Sequence, residues 1–160
     1  MTTMKPVLEV RIERLISAPP SSVYRAWLEP EMLRRWLAPG SMEVSRVEVD
    51  ERVGGHVRIW QTHNGQDAGG FECRLIERVP DKRIVFHWGF VGPHRTKGPT
   101  FDSLLTITLR ASPGDTTTLT LVHERLDDLE QAMPDVARNV GVGWELVFDK
   151  LAKLLDVAQE

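Results

Sequence analysis

The order of apolar and charged residues near the start of the chain predicts a β-strand followed by two short helices. In residues 7–16 the apolar side chains of Leu8, Val10, Ile12 and Ile16 occupy alternate positions, and charged side chains occupy most of the others. This pattern is typical of a half-buried strand. Arg14 breaks the pattern, because it falls on the apolar side. Two prolines at 19 and 20 favour a helix start, and apolar residues at helical spacing follow in 20–27 and in 31–37.

A succession of strands and tight turns is predicted for the middle of the chain. The segments rich in Val, Ile, Thr and aromatic residues are 44–50, 57–62, 70–79, 84–90, 101–110 and 116–124. Asn64-Gly65 lies between the second and third segments, and this dipeptide is a strong signal for a two-residue hairpin turn. Consecutive strands joined by short turns indicate an antiparallel sheet.

The last part of the chain predicts one long amphipathic helix over residues 134–157. Its apolar residues recur at steps of three and four, as on the buried face of a helix. Gly141 and Gly143 each weaken such a helix by about 1 kcal/mol relative to Ala, so we expect the helix to approach the sheet or a bound ligand closely there. The order of elements predicts a single α+β domain over residues 1–160. In it, a curved antiparallel sheet of six to seven strands wraps the long C-terminal helix.

Composition and charge exclude several classes of protein. The chain is 41% hydrophobic and 27% charged, with a net charge of -3, which is ordinary for a globular domain. A nucleic-acid binder usually carries a basic excess or a basic stripe, so we expect no nucleic-acid partner. No run approaches the roughly 20 apolar residues of a membrane span, and the first residues do not resemble a signal peptide. With the single Cys73 compatible with a reducing compartment, we expect a cytoplasmic protein.

Arg14 and His123 are the polar residues that the strand pattern singles out. Each falls on the apolar side of its predicted strand, and an inward arginine must be paired or face a wet cavity. A bulge or strand end could instead return either side chain to solvent. If both point inward, they could orient a ligand that carries an anionic or carbonyl group. His123 is also a weak candidate for an acid or base, although an isolated histidine is more often structural.

No metal, cofactor or catalytic motif is recognisable. The other histidines are His56, His63, His87 and His94, and no pair has metal-binding spacing. Cys73 shares its side of the strand with apolar residues, which predicts a buried thiol. Because of this histidine spacing we expect no metal, and we also expect no cofactor. No catalytic dyad or triad can be assembled, so an enzyme is only an alternative.

Four segments resemble the family named for the activator of Hsp90 ATPase homologue 1 (AHSA1-like). In chain order they are residues 23–27 (VYRAW) with Pro30-Glu31 and Trp36, residues 49–56 (VDERVGGH), the hairpin 103–109 with 118–124, and Gly143-Trp144 with Leu151 and Leu155. Together they cover nearly the whole chain. The family belongs to the START/Bet v 1-like (SRPBCC) superfamily, so the resemblance implies a helix-grip fold with an apolar cavity between the sheet and the last helix. The co-chaperone that names the family carries a further N-terminal domain, of which we find no counterpart in this sequence.

The resemblance implies that the ligand site lies in this cavity. The residues expected to bind the ligand are Arg14, Trp36, Trp60, Phe86, Trp88, Leu105, His123, Trp144 and Phe148. Ligand sites are mostly aromatic and apolar with a few polar groups, although any one tryptophan is more often a core residue.

Three functions follow as hypotheses. The first is a small-molecule binding protein for an apolar, aromatic ligand. The second is a cyclase or hydrolase that uses the same pocket, with His123 as its acid or base. The third is an Hsp90-linked co-chaperone or stress-response interaction module. We also expect that the chain can form a homodimer, but no segment identifies the interface.

Overall fold

The computed structural model describes residues 9–93 and 100–158, without the side chains of residues 157 and 158. The first strand, β1 (Val10–Ile16), is followed by α1 (Pro20–Ala26) and α2 (Pro30–Trp36). Six further strands follow: β2 (Glu43–Val49), β3 (His56–His63), β4 (Gln66–Val79), β5 (Arg83–Val91), β6 (Phe101–Ser112) and β7 (Thr116–Glu124). The chain continues with α3 (Asp127–Ala132), α4 (Pro134–Arg138) and α5 (Val140–Ala158). Residues 7 and 8 of the predicted first strand, and His94, lie outside the described residues.

All seven strands form one curved antiparallel sheet in the order β1-β7-β6-β5-β4-β3-β2. The strands β2 to β7 follow one another along the sheet, whereas β1 crosses over to pair with β7. The predicted hairpin turn is confirmed at Asn64-Gly65, where both residues have positive φ angles of 54° and 77°. Such angles match the turn to the twist of the flanking strands. The helix-grip fold predicted from the sequence is therefore confirmed.

The C-terminal helix α5 covers the concave face of the sheet. One stripe of α5 is buried there and consists of Val140, Trp144, Val147, Phe148, Leu151 and Leu155. The opposite side of the helix exposes Val142 and Leu146. Among the described helices, none is both long and apolar enough to cross a membrane.

The predicted single long helix is wrong at its N-terminal end, because residues 134–138 form a separate short helix, α4. A further helix, α3, lies before the predicted one, over Asp127–Ala132. Pro134 begins α4, which ends before Asn139, and the Asn139 side-chain amide donates to the Asp135 carbonyl oxygen at 2.8 Å. This side-chain bond competes with continuous helix, since asparagine readily hydrogen-bonds to nearby backbone.

Gly141 and Gly143 differ in their surroundings at the start of α5. A Cβ added at Gly141 would lie 3.6 Å from the Val10 side chain, an ordinary contact with β1. A Cβ added at Gly143 would meet nothing within 4 Å. The expected close approach to the sheet is therefore found at Gly141, whereas Gly143 borders open space.

Candidate functional site

An open cavity lies between the sheet and the helices α4 and α5. Its volume is about 500 Å³, which falls within the roughly 300–1,000 Å³ of ligand pockets. The walls come from β3, β4 and β5, from the segment after α2, and from the N-terminal part of α5. Several residues at the rim are exposed to solvent, among them Asp135, Val136 and Asn139. A ligand could therefore enter from this end of the sheet.

Four aromatic side chains form the apolar wall of the cavity, which we call the aromatic wall: Phe71, Trp88, Phe90 and Trp144. The ring centroids of Phe71 and Trp88 are 4.8 Å apart, and those of Trp88 and Trp144 are 5.5 Å apart. These separations lie in the range in which aromatic rings attract each other. The rings support one another and present a rigid surface to the cavity.

Few polar side chains line the cavity. Gln61 is buried, and its Nε2 donates to the Leu37 carbonyl oxygen at 2.9 Å. Asp135 and Asn139 lie at the rim, and the Asp135 carboxylate is 3.3 Å from the guanidinium of Arg138. The indole N–H of Trp88 is buried and has no hydrogen-bond partner within the described residues. A buried donor without an acceptor is unfavourable, and because the nitrogen itself is not exposed to the cavity, a ligand there does not supply the missing acceptor.

His123 lies behind the aromatic wall in a chain of hydrogen bonds. The indole Nε1 of Trp144 donates to His123 Nδ1 at 3.0 Å, and His123 Nε2 is 2.6 Å from the Ser103 hydroxyl. The Ser103 hydroxyl itself donates to the Trp88 carbonyl oxygen at 2.7 Å. Because Nδ1 must accept and the hydroxyl proton is already engaged, the ring proton sits on Nε2 and points to Ser103.

The environment of His123 keeps the imidazole neutral. The side chain is fully buried, and Phe90 stacks on it with ring centroids 5.6 Å apart. Burial lowers the pKa of His123 to about 3. Both ring nitrogens are occupied and the residue does not line the cavity, so this geometry does not suit an acid or base that must reach a ligand. The structural interpretation of His123 is the one that these contacts favour.

Two predicted site residues lie away from the cavity, and their positions are corrections. Arg14 does point to the inner side of β1, but β1 is an edge strand and the guanidinium pairs with Asp149 of α5 at 2.6 Å. Trp60 lies on the outer face of β3, since its neighbours Ile59 and Gln61 take the inner face. The Arg46 guanidinium carbon is 4.9 Å from the Trp60 ring centroid on that outer face.

Four other predicted residues are packed in the core beneath the cavity. They are Trp36, Phe86, Leu105 and Phe148, all of them almost completely buried. Trp27, which the sequence analysis did not single out, lies among them and contacts the rings of Trp36 at 4.7 Å and Phe148 at 6.2 Å. The deep half of the space between sheet and helix is therefore filled by side chains. Of the predicted residues, Trp88 and Trp144 line the open half, and ligand contact by any of them remains a prediction.

Phe71, Phe90 and Gly143 line the cavity but were missing from the predicted site. The sequence carried a signal for each of them: Phe90 shares its strand face with Trp88, Phe71 shares its face with Cys73, and Gly143 interrupts a helix next to Trp144. Within the described ranges, no three or more His, Cys, Asp or Glu side chains gather so that they could hold a metal ion.

Comparison with known proteins identifies the family. The model of the Activator of Hsp90 ATPase homolog 1-like protein family, AHSA1, matches residues 17–156. No curated protein sequence matches the chain significantly.

Solved structures share the fold over almost the whole chain. Protein CV1439 from Chromobacterium violaceum is 33% identical with a TM-score of 0.75, and the match covers 92% of this chain and 96% of that one. The AHSA1 protein SPO3351 from Silicibacter pomeroyi is 22% identical with a TM-score of 0.74, over 94% of this chain and 99% of that one. DynU16, a protein of the dynemicin biosynthetic locus, is 20% identical with a TM-score of 0.70, over 96% of this chain and 49% of that one. At such identities the last two show the fold alone. Because the AHSA1 family model matches residues 17–156, the chain belongs to the AHSA1 family of the SRPBCC superfamily.

Proposed function

We propose that this protein binds a planar, apolar small molecule in the cavity beside α5. The observation that carries the proposal is an open space of about 500 Å³ that is lined by the aromatic wall and by Gly143, where a Cβ would meet no atom within 4 Å. Flat aromatic surfaces favour flat aromatic ligands, because offset stacking adds to the burial of apolar area. The fold is also that of a family whose superfamily includes many ligand-binding proteins.

The polar groups indicate what else the ligand carries. The rim offers the Asn139 side chain as a polar partner, whereas the indole N–H of Trp88 is enclosed by protein and out of reach of a ligand in the cavity. A planar ring system with one carbonyl or hydroxyl oxygen at its edge would use the polar rim. A carboxylate group is less suitable, because the cavity has no cation among its described lining residues.

The substitution Gly143→Leu tests the proposal. A Cβ at Gly143 meets no atom within 4 Å, so a larger side chain can occupy the cavity without displacing the core. We expect 2-naphthol to quench tryptophan fluorescence and to raise the melting temperature of the unmodified protein, and we expect both effects to be lost in Gly143→Leu. Ligand at 100 times its Kd stabilises a protein by about 2.7 kcal/mol, which a thermal unfolding assay readily detects.

The matched control is Val142→Leu. Val142 is the preceding residue of the same helix and is 57% exposed, so this change adds apolar volume outside the cavity. Binding to this variant should equal binding to the unmodified protein, and cyclohexanol should bind more weakly than 2-naphthol to both. If 2-naphthol binds Gly143→Leu as well as it binds the control, the cavity is not the binding site.

The cyclase or hydrolase alternative makes a different demand on the cavity. It would need an acid or base at the wall of the cavity. We retain this alternative because DynU16, which has a similar fold, is a protein of a biosynthetic locus. The sealed position of His123 disfavours that residue for the role. If the protein turns over a cyclisable or hydrolysable substrate and His123→Gln does so equally well, the protein is an enzyme that does not use His123 as its base.

The co-chaperone alternative rests on the family name and on two exposed apolar side chains. Val142 and Leu146 lie four residues apart on the outer side of α5, so they share one face. A double change to Ser should reduce any stimulation of an Hsp90 ATPase by this protein. Absence of stimulation by the unmodified protein at saturating concentration would reject this function.

A further inference from the structure

A second, smaller cleft lies beside the end of α2, and three of its seven lining residues are basic. Its volume is about 230 Å³, which leaves room for a small group and its bound water. We call it the basic cleft; its lining residues are Arg34, Arg35, Ala38, Met42, Glu43, Val44 and Lys150. The segment between α2 and β2 contributes to both sites. Its residues Leu37 and Pro39 line the cavity beside α5, which we call the aromatic cavity, and Ala38 and Met42 line the basic cleft.

Lys150 is the inner cation of the basic cleft. Its side chain is partly buried, and its Nζ donates to the Ala38 carbonyl oxygen and, at 3.4 Å, to the Met42 carbonyl oxygen. These acceptors are neutral, so they orient the ammonium group without neutralising its charge. Burial lowers the pKa of Lys150, and the nearby Glu43 carboxylate partly offsets this effect, so the ammonium charge is only partly compensated there. An ammonium has three N–H donors, and one remains beyond the two carbonyl bonds.

Arg34 and Arg35 are the outer cations of the basic cleft. Both are exposed on the last turn of α2, and neither forms an ion pair with any acid in the described part of the chain. Arg25 on the preceding helix is different, since its guanidinium lies 2.7 Å from the Glu29 carboxylate. Glu43 supplies the one carboxylate among the described lining residues. Three cations and one anion therefore give the cleft a formal charge of +2, in a chain whose net charge is -3.

We propose that the basic cleft is a binding site for a phosphate-type oxyanion. Guanidinium groups present paired N–H donors that match two oxygens of such an anion, and the fixed ammonium of Lys150 supplies a point charge on a third side. The partly desolvated lysine distinguishes this cleft from a solvated surface patch, because an anion there regains an interaction that burial has removed. The proposal does not depend on what occupies the aromatic cavity.

The experiment measures phosphate binding to the full chain by isothermal titration calorimetry at constant ionic strength. The probes are inorganic phosphate and glycerol 3-phosphate, which distinguish the free ion from a phosphate group of a larger molecule. We expect saturable binding of at least one probe. The double variant Arg34→Gln/Arg35→Gln should bind it at least tenfold more weakly, because charge-assisted hydrogen bonds to phosphate are lost.

The matched control is Arg74→Gln/Arg110→Gln. It removes two exposed arginines that lie on β4 and β6 and have no ion pair among the described residues, so the net charge falls by the same amount. The control should keep the affinity of the unmodified protein. Equal weakening in both double variants, or no saturable binding of either probe, would overturn the proposal. Tighter binding of glycerol 3-phosphate than of phosphate would assign the site to a phosphate ester.

Discussion

The buried imidazole of His123 should make the stability of this protein fall steeply in mild acid. In the folded chain His123 accepts from Trp144 and has a pKa of about 3, whereas an unperturbed histidine has a pKa of 6.5. Between these two values the unfolded chain binds a proton that the folded chain does not. The free energy of unfolding therefore decreases as the pH is lowered from about 6.5 towards 3. Above pH 6.5 both states are neutral and this contribution is absent.

The size of the effect follows from the two pKa values. At pH 5 the unfolded histidine lies 1.5 pH units below its pKa, and each unit corresponds to about 1.4 kcal/mol, so the folded state loses about 2 kcal/mol relative to pH 7. Other groups also titrate over this range. Only the difference between the unmodified protein and a variant without His123 isolates the contribution of this residue.

The variant is His123→Gln, and the assay is urea unfolding at pH 7 and pH 5. Glutamine keeps a polar side chain next to Ser103 but does not titrate. We expect the variant to be less stable at pH 7, because the bond from Trp144 is lost, and we expect its own loss between pH 7 and pH 5 to be smaller by about 2 kcal/mol.

His87→Gln is the control, since His87 is exposed on the outer face of β5. Its stability at both pH values should follow that of the unmodified protein. If His123→Gln loses as much stability between pH 7 and pH 5 as the unmodified protein does, the imidazole is not held neutral in the folded state. The structural role assigned to His123 would then be incorrect.

Three further predictions concern single contacts. Trp144→Phe keeps an aromatic ring but leaves His123 Nδ1 without a donor, so it should lower the free energy of unfolding by about 1–3 kcal/mol in urea; a change below 0.5 kcal/mol would mean that the bond contributes little. Arg14→Ala should cost less than about 1 kcal/mol, with a smaller cost at high salt, because the bridge to Asp149 is partly exposed; a salt-independent cost would indicate lost packing instead. Gly65→Ala should cost about 1–2 kcal/mol in thermal unfolding, because φ is +77° there, and an unchanged melting temperature would contradict this.

The elements of the sheet could be predicted because local signals there agree with one another. Strand ends can be placed within a few residues from three signals: the alternation in β7, the loop after β6 and the Asn64-Gly65 turn. The break at Asn139 could not be predicted in the same way, because the apolar stripe continues through it and only a side-chain bond to Asp135 marks the interruption. The periodicity of apolar residues indicates which face of a helix is buried, but it does not reveal such a local side-chain bond.

The candidate site was harder to predict than the fold. Whether a buried residue lines a cavity depends on how completely neighbouring side chains fill the space beside it. Trp36 and Trp88 are equally buried, but Trp27 packs against Trp36 and closes the space there, whereas Trp88 borders open space. Trp60 lies outside the cavity for a simpler reason: tryptophan is favourable on either face of a strand, and the alternation with the buried Ile59 and Gln61 puts Trp60 on the outer face. The partner of Arg14 is distant in sequence and could not be identified without the structure.

The pairing of the first strand with the last has a consequence for how the chain folds. Val10 lies opposite His123, and the Thr117 hydroxyl donates to the Ala18 carbonyl oxygen at 2.7 Å, so contacts at both ends of β1 span most of the chain. The hairpins from β2 to β7 can form locally, but β1 must wait until β7 exists, because β7 is the strand with which it pairs, and their pairing also closes a long loop. During synthesis the N-terminal strand therefore remains unpaired until β7 has left the ribosome. One side of β7 is an open edge in that interval, and capture of this edge by β1 completes the sheet.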